Sequence, residues 1–172
     1  MTNRFFRIIM TILIVFIGFI TTVATEDSDI EQMISDLADE IETVEDNGDF
    51  IVEAKSSRYG TDVKKSFDGL ASQISTDFNN QFKLPKGNVF ISFEDCGTVN
   101  AFYDPQNAKI IMCYELFQTF FEFYSTPEDA VKAFFFVFYH ELGHALVDQW
   151  DLPVLGKEED DVDGMATRLI KI

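Results

Sequence analysis

The chain contains only two histidines, His140 and His144, and both lie in its most apolar segment, FFFVFYHELGHALVDQW, at residues 134–150. Their spacing constrains the fold, because positions i and i+4 lie on one face of an α-helix, one turn apart. A buried apolar helix has no packing need for two imidazoles. The sequence therefore predicts a helix that presents both histidine side chains to one point.

Residues 140–144 read His-Glu-Leu-Gly-His, the H-E-x-x-H pattern. Two imidazole nitrogens on one helix face can bind one zinc ion, and a catalytic zinc site keeps a further position for water. Zinc lowers the pKa of that water, and Glu141, next to the first histidine, is the candidate general base. The alternative is a pair of core histidines satisfied by other groups. We predict a zinc site with His140 and His144 as ligands and Glu141 as the catalytic base.

The third zinc ligand must be a carboxylate, because no other histidine exists. The acidic run at residues 158–163 offers Glu158, Glu159, Asp160, Asp161 and Asp163. On a helix, Glu159 and Asp163 share a face, so Glu159 can bind zinc while Asp163 accepts the second N–H of a ligating histidine. This helical phase favours Glu159 over Glu158. A solvated acidic helix face is the alternative reading of the run.

The segment HELGHALVD, followed by Glu159-x-x-x-Asp163, resembles the gluzincin metallopeptidases, the thermolysin-like clan. Those enzymes carry H-E-x-x-H on one helix and Glu-x-x-x-Asp on the next. The segment NAFYD at residues 100–104 also resembles the clan's edge strand, which pairs with extended substrate. Over about residues 89–170 the chain looks still closer to an uncharacterised family of secreted bacterial proteins assigned as metallopeptidases.

Beyond the zinc ligands and the general base, the resemblance implies four supporting residues. Asp163 would orient His140, and Asp148 would have a structural or orienting role. Asn100 and Ala101 would pair with the substrate, although the same residues also suit an ordinary edge strand.

The resemblance further implies a His or Tyr that stabilises the oxyanion. Both histidines are already assigned, so the candidates are Tyr103, Tyr114 and Tyr139, and the sequence does not choose among them. The chain ends at Ile172, soon after Asp163. An inactive or truncated exported protein that binds zinc or a partner is therefore the alternative to an active zinc metallopeptidase.

The N terminus predicts export. Arg4 and Arg7 precede an apolar run at residues 8–20, and small residues follow, with a cleavage site after Ala24. The run is short for a membrane span, which favours a cleaved signal peptide at residues 1–24 over an anchor. We expect a periplasmic or extracellular protein that touches a membrane only if this segment stays uncleaved.

Charge and cysteine content limit the partners. The formal net charge of −17 argues against nucleic acid, which needs a basic surface. The expected partner is a peptide or protein substrate, and the oligomeric state is not readable. In an exported chain, the cysteine pair Cys96 and Cys113 predicts one disulfide.

The predicted fold class is α+β, a minimal zincin-like domain of gluzincin type at residues 55–172. Residues 25–54 form a separate acidic, amphipathic helical segment in this prediction. Strands are expected at residues 89–93, 99–104 and 110–114, in a short antiparallel meander whose edge strand faces the cleft. Helices are expected over residues 66–83, 115–124, about 127–149 and from about 157.

Overall fold

The computed structural model describes residues 44–154 and 156–170. The chain divides into two compact units, Met1–Asp46 and Asn47–Ile172, and every helix and strand described below belongs to the second. The predicted signal segment and residues 25–43 of the predicted acidic helical segment lie outside the described residues. Within the described part, no helix is both long enough and apolar enough to cross a membrane.

A four-stranded mixed sheet is formed by the described strands, which are β1 (Phe50–Ala54), β2 (Val89–Glu94), β3 (Ala101–Asp104) and β4 (Lys109–Cys113). Their spatial order is β1-β2-β4-β3. β2 pairs in parallel with both β1 and β4, and only β3 and β4 are antiparallel. The α+β class is confirmed, but the expectation of an antiparallel meander is wrong for β2 and β4.

β2 is a central strand of the described sheet. Its residues Val89, Ile91 and Phe93 are fully buried, as is typical of such a strand. β3 and β4 are joined by a short turn and form a hairpin with β3 at the edge of the sheet. β4 then runs beside β2 in the same direction. β1 completes the other side. Residues 50–54 were expected in the acidic helical segment, but they form this strand because they pair with β2.

The described helices are α1 (Thr61–Gln81), α2 (Tyr114–Phe123), α3 (Pro127–Gln149) and α4 (Glu158–Leu169). α3 carries both histidines and begins where the sequence predicted. The Thr126 hydroxyl accepts a hydrogen bond from the backbone N–H of Asp129 at 3.2 Å, and Pro127 occupies the first turn. α4 opens with four acidic residues, which suit the positive end of the helix dipole.

Aromatic rings fill the core between α1, α3 and the sheet. The Phe67 ring on α1 lies 4.9 Å from the Phe93 ring, 5.1 Å from the Tyr114 ring and 5.9 Å from the Phe134 ring, measured between centroids. α3 also packs against β3, β4 and α4. The histidine-bearing helix is therefore held between the sheet edge and the last helix.

Candidate metal centre

α3 presents His140 and His144 on one face, as their spacing predicted. Their Nε2 atoms are 3.2 Å apart, and the two rings lie nearly perpendicular to each other. Both side chains are mostly buried. The two imidazoles are therefore positioned to share one ion.

α4 brings a carboxylate to the same point. Glu159 Oε2 lies 3.2 Å from His140 Nε2 and 3.6 Å from His144 Nε2. Ligand atoms of a tetrahedral zinc site lie about 3.3 Å apart when each is about 2.0–2.1 Å from the metal. The three distances match this geometry, so these residues fit a zinc ion.

The other ring nitrogens are held by carboxylates. His140 Nδ1 lies 2.8 Å from Asp163 Oδ1, and His144 Nδ1 lies 2.6 Å from Glu158 Oε1. With its Nδ1 donating to the carboxylate, a neutral imidazole presents the lone pair of its Nε2 atom to the same point. Three acceptor atoms then converge without a donor, which is the chemistry of a cation site.

The pairing of Asp163 with His140 is the one that the family resemblance implied. The role of Glu158 was missed, because in the sequence this residue stands out only as a rival zinc ligand. The available signal was its position, one residue before Glu159 in the first turn of α4. Adjacent helical residues point about 100° apart, so Glu158 reaches the second histidine while Glu159 reaches the ion.

A glycine inside the motif explains how α4 comes so close. A Cβ built on Gly143 would lie 2.8 Å from Val162 Cβ and 2.9 Å from Val162 Cγ1. Any side chain at position 143 would therefore push α3 and α4 apart. The role of Gly143 was also missed, because only the partner helix reveals the need for a small residue.

Glu141 lies beside the two histidines and is only 8% exposed. Burial raises the pKa of its carboxyl group above the ordinary value, and the nearby His140 and His144 oppose that rise. The backbone of Tyr103 on β3 also opposes that rise. Glu141 therefore lies close to the edge strand.

A cleft of about 330 Å³ opens next to this group of residues. The cleft is lined by Val99, Asn100, Ala101, Leu116, Phe136, Val137, His140, Glu141 and Asp163. The predicted substrate-strand residues Asn100 and Ala101 therefore share one cavity with the H-E-x-x-H motif. Among the described strands, β3 pairs only with β4, so it forms one edge of the described sheet.

Asp148 connects the edge strand to α3. Its Oδ2 atom accepts a hydrogen bond from the Tyr103 hydroxyl at 2.6 Å, and its Oδ1 atom lies 3.5 Å from Lys86 Nζ. Burial, together with this contact, raises the pKa of the Tyr103 hydroxyl, which stays protonated and donates. The predicted structural role of Asp148 is therefore the one that its contacts support.

The three tyrosines considered for oxyanion stabilisation lie in different surroundings. Tyr114 is 1% exposed and donates its hydroxyl to the backbone carbonyl of Lys55 at 2.8 Å, so it is not available. Tyr139 packs against the rings of Phe135 and Phe138. Tyr103 lies on the edge strand, with its hydroxyl on an aspartate.

The predicted disulfide is confirmed. Cys96 and Cys113 are joined, with their Cα atoms 5.4 Å apart. Glu115 lies close to both sulfur atoms, and the three residues resemble a second metal-binding cluster. Sulfur atoms in a disulfide are not thiolates, so this cluster is structural and not a metal site.

Comparison with known proteins identifies a family. The model of the DUF4344 family, described as "Putative metallopeptidase", matches residues 52–171. No curated protein and no solved structure matches the chain. The matched region includes the whole candidate metal centre, the disulfide and the cleft. The resemblance to the gluzincin clan stays a prediction.

Proposed function

The chain belongs to the DUF4344 family, and on that premise we propose that it is a zinc-dependent metallopeptidase that hydrolyses peptide bonds outside the cytoplasm. One observation carries the proposal. The Nε2 atoms of His140 and His144 and Oε2 of Glu159 all lie within 3.6 Å of one another, beside a buried Glu141 that lines a cleft.

In this proposal His140, His144 and Glu159 hold the zinc ion. Asp163 and Glu158 keep the two imidazoles in the tautomer that presents Nε2 inward, and such partners tune both orientation and basicity. Zinc, when bound, supplies a Lewis acid that polarises a carbonyl group and makes water easier to deprotonate.

Glu141 moves the proton. Its carboxylate accepts a proton from the attacking water and delivers it to the leaving amine, which is general base and then general acid catalysis. The backbone of Tyr103 on β3 is near enough to this carboxylate to lower its pKa, and Glu141 lines the same cleft as Ala101 of β3. The proton carrier therefore stands next to the strand on which we expect the peptide to lie.

The substrate in this proposal is an extended peptide that adds to the free edge of β3. Backbone pairing of this kind supplies affinity with little dependence on sequence, and side-chain pockets supply specificity. Asn100 and Ala101 line the cleft, and the apolar side chains Val99, Leu116 and Val137 form much of its wall. The wall favours peptides with an apolar side chain beside the scissile bond. The disulfide supports an oxidising compartment.

The proposal is tested by zinc content and peptide cleavage on the same purified protein. We expect about one zinc per chain, from the single donor set of the candidate site. Glu141→Gln should keep the zinc and lose cleavage by about 10²–10⁴-fold. Glu128→Gln, an exposed carboxylate in the first turn of α3, is the matched control and should keep both properties.

The third ligand is tested with a pair of neighbours. Glu159→Ala should abolish stoichiometric zinc, and Glu158→Ala should only weaken zinc binding, by about 10–100-fold. A wild-type chain that binds zinc but cleaves no peptide would favour the exported zinc-binding protein instead. A folded wild-type chain without zinc would end the metallopeptidase proposal.

A further inference from the structure

The loop at residues 95–100 joins β2 to β3 and delivers two residues to the cleft. Val99 and Asn100 from this loop line the cavity beside Ala101, the first residue of β3. Val99 is itself exposed, so packing of its side chain contributes little to holding the loop. The position of this side of the cleft therefore depends on what holds the loop backbone.

The buried carboxylate of Glu115 binds the backbone at the start of the loop. Glu115 Oε1 accepts a hydrogen bond from the backbone N–H of Gly97 at 2.7 Å, and Oε2 accepts one from the backbone N–H of Cys96 at 3.1 Å. Gly97 has a φ of 75°, and such a left-handed residue allows successive N–H groups to converge on one anion. Glu115 is 8% exposed, and a buried carboxylate is costly without such partners.

Arg58, in the segment between β1 and α1, contacts both Glu115 and the first residue of the loop. Its Nη2 atom lies 2.7 Å from Glu115 Oε1, and its backbone N–H donates to Asp95 Oδ2 at 2.7 Å. The arginine thus ties the first residue of the loop to the carboxylate that holds the next two. We name Arg58, Asp95 and Glu115 the loop clamp.

The far end of the loop is tied to β4. The backbone N–H of Cys113 donates to the carbonyl of Asn100 at 3.3 Å, and the Cys96–Cys113 disulfide links the same strand to the loop. Glu115 lies two residues after Cys113, in the first turn of α2, and its neighbour Leu116 lines the cleft. The clamp and one wall of the cleft therefore share a single turn of helix.

We infer that Glu115, held by Arg58, is a positioning residue for the substrate-binding edge of the cleft. The inference rests on the proposed function, since it assigns the clamp to the peptide that we expect on β3. The clamp keeps the loop ordered before the peptide binds. Binding therefore carries the entropic cost of ordering the peptide but not that of ordering the loop. The chemistry lies on α3 and α4, whereas the hydrogen bonds of the clamp go to the loop and to Arg58.

Loss of the clamp should therefore weaken peptide binding and leave the rate of the chemical step unchanged. We expect Glu115→Gln and Arg58→Ala to raise KM for a quenched fluorescent octapeptide library by about 10-fold, the scale of re-ordering one backbone residue. The kcat value should stay within about 2-fold, because a loss of binding shared by ground state and transition state appears in KM. Zinc content should equal that of the wild-type chain.

Two further variants of the full chain sharpen the test. Arg58→Lys keeps the charge but not the forked geometry, so it should restore part of the KM lost in Arg58→Ala. Lys64→Ala removes an ion pair with Asp68 on α1 and is the matched control, with KM unchanged. Hydrogen exchange should be faster at the amides of residues 96–101 in Glu115→Gln and unchanged across α3, which also shows that the variant is folded.

The outcomes separate the two proposals. An active wild-type chain whose KM and loop exchange do not change in Glu115→Gln and Arg58→Ala overturns the positioning role and leaves the peptidase intact. A loss of kcat in both variants, with KM unchanged, also overturns the positioning role, because the clamp would then act on the chemical step. A wild-type chain that cleaves no octapeptide overturns the proposed function, and the inference is lost with it.

Discussion

Replacing Gly143 by Ala should separate the two helices that build the metal centre. The added Cβ would lie 2.8 Å from Val162 Cβ, 2.9 Å from its Cγ1 and 3.3 Å from its Cα. Carbon atoms in contact normally stay about 3.5–4.0 Å apart. Because α3 is held by the sheet, relief requires α4 to retreat by about 1 Å, judged from that contact distance.

The cost to stability should be modest. Overpacking costs about 1–3 kcal/mol, and Ala is preferred to Gly inside a helix by about 1 kcal/mol. The net loss in the free energy of unfolding is therefore about 0–2 kcal/mol on these two terms. The variant should fold, so its effect on zinc can be measured.

The cost to zinc binding should be larger. Glu159 lies three residues before Val162, and Asp163 lies one residue after it, so the retreat moves a ligand and the partner of His140 together. Metal–ligand distances tolerate only about 0.2 Å. The Glu159 side chain is 67% exposed, so it can adjust its position toward the zinc ion only in part when α4 moves. We therefore expect zinc affinity to fall by about 10–100-fold, as when a ligand's orienting partner is lost.

Gly164→Ala is the matched control, because it makes the same substitution on α4 where an added Cβ meets no atom within 4 Å. It should keep the zinc affinity and raise the free energy of unfolding by about 0.5–1 kcal/mol. Zinc affinity is measured by competition with a chelating indicator, and stability by urea unfolding. Equal zinc affinity in Gly143→Ala and Gly164→Ala would refute the reasoning from close helix packing.

Three other predictions follow from the same structure. Asp163→Ala should weaken zinc binding by about 10–100-fold in the chelator assay, whereas Asp161→Ala, an exposed neighbour, should not change it; equal affinities would contradict the role given to the Asp163–His140 contact. Phe67→Ala should lower the free energy of unfolding by about 3–5 kcal/mol in urea, since it empties the centre of the aromatic core, and a loss below about 1 kcal/mol would mean that the core collapses around the gap. Burial raises the pKa of Glu115, but the backbone hydrogen bonds and the charge of Arg58 outweigh burial and hold that pKa below its ordinary value of 4.5. The ionised carboxylate therefore stabilises the fold above pH 4.5, and this contribution is lost as pH falls through the lower, folded-state pKa. The difference in the free energy of unfolding between wild type and Glu115→Gln should be largest at neutral pH and should become smaller in acid. A difference that does not depend on pH would count against a stabilising role of the ionised form.

Most helices could be predicted because their signals are local. The start of α3 depends on Thr126 and Pro127, which act on their own helix turn, and the structure places it there. The strands β2, β3 and β4 were also located to within about two residues, the usual uncertainty of element ends. The disulfide was predicted from cysteine count and compartment.

The sheet order could not be predicted in the same way. Phe50 becomes a strand residue because its ring packs on Phe78 and its backbone pairs in register with Val89, both distant in the chain. A five-residue strand has too little periodicity of its own to reveal such partners. The parallel pairing of β2 with β4 depends likewise on where the β3–β4 hairpin docks.

The sequence by itself determined the two histidines, their common helix face and the adjacent Glu141, because covalent spacing and helical period alone set those positions. Only the tertiary structure decided that Glu158 reaches His144, since that contact depends on how closely α4 approaches Gly143. It also decided the loop clamp, whose Arg58 and Glu115 are 57 residues apart. The physical reason is the range of the forces: hydrogen bonds within one helix act over about four residues, whereas packing and ion pairs act between whichever surfaces the fold brings together.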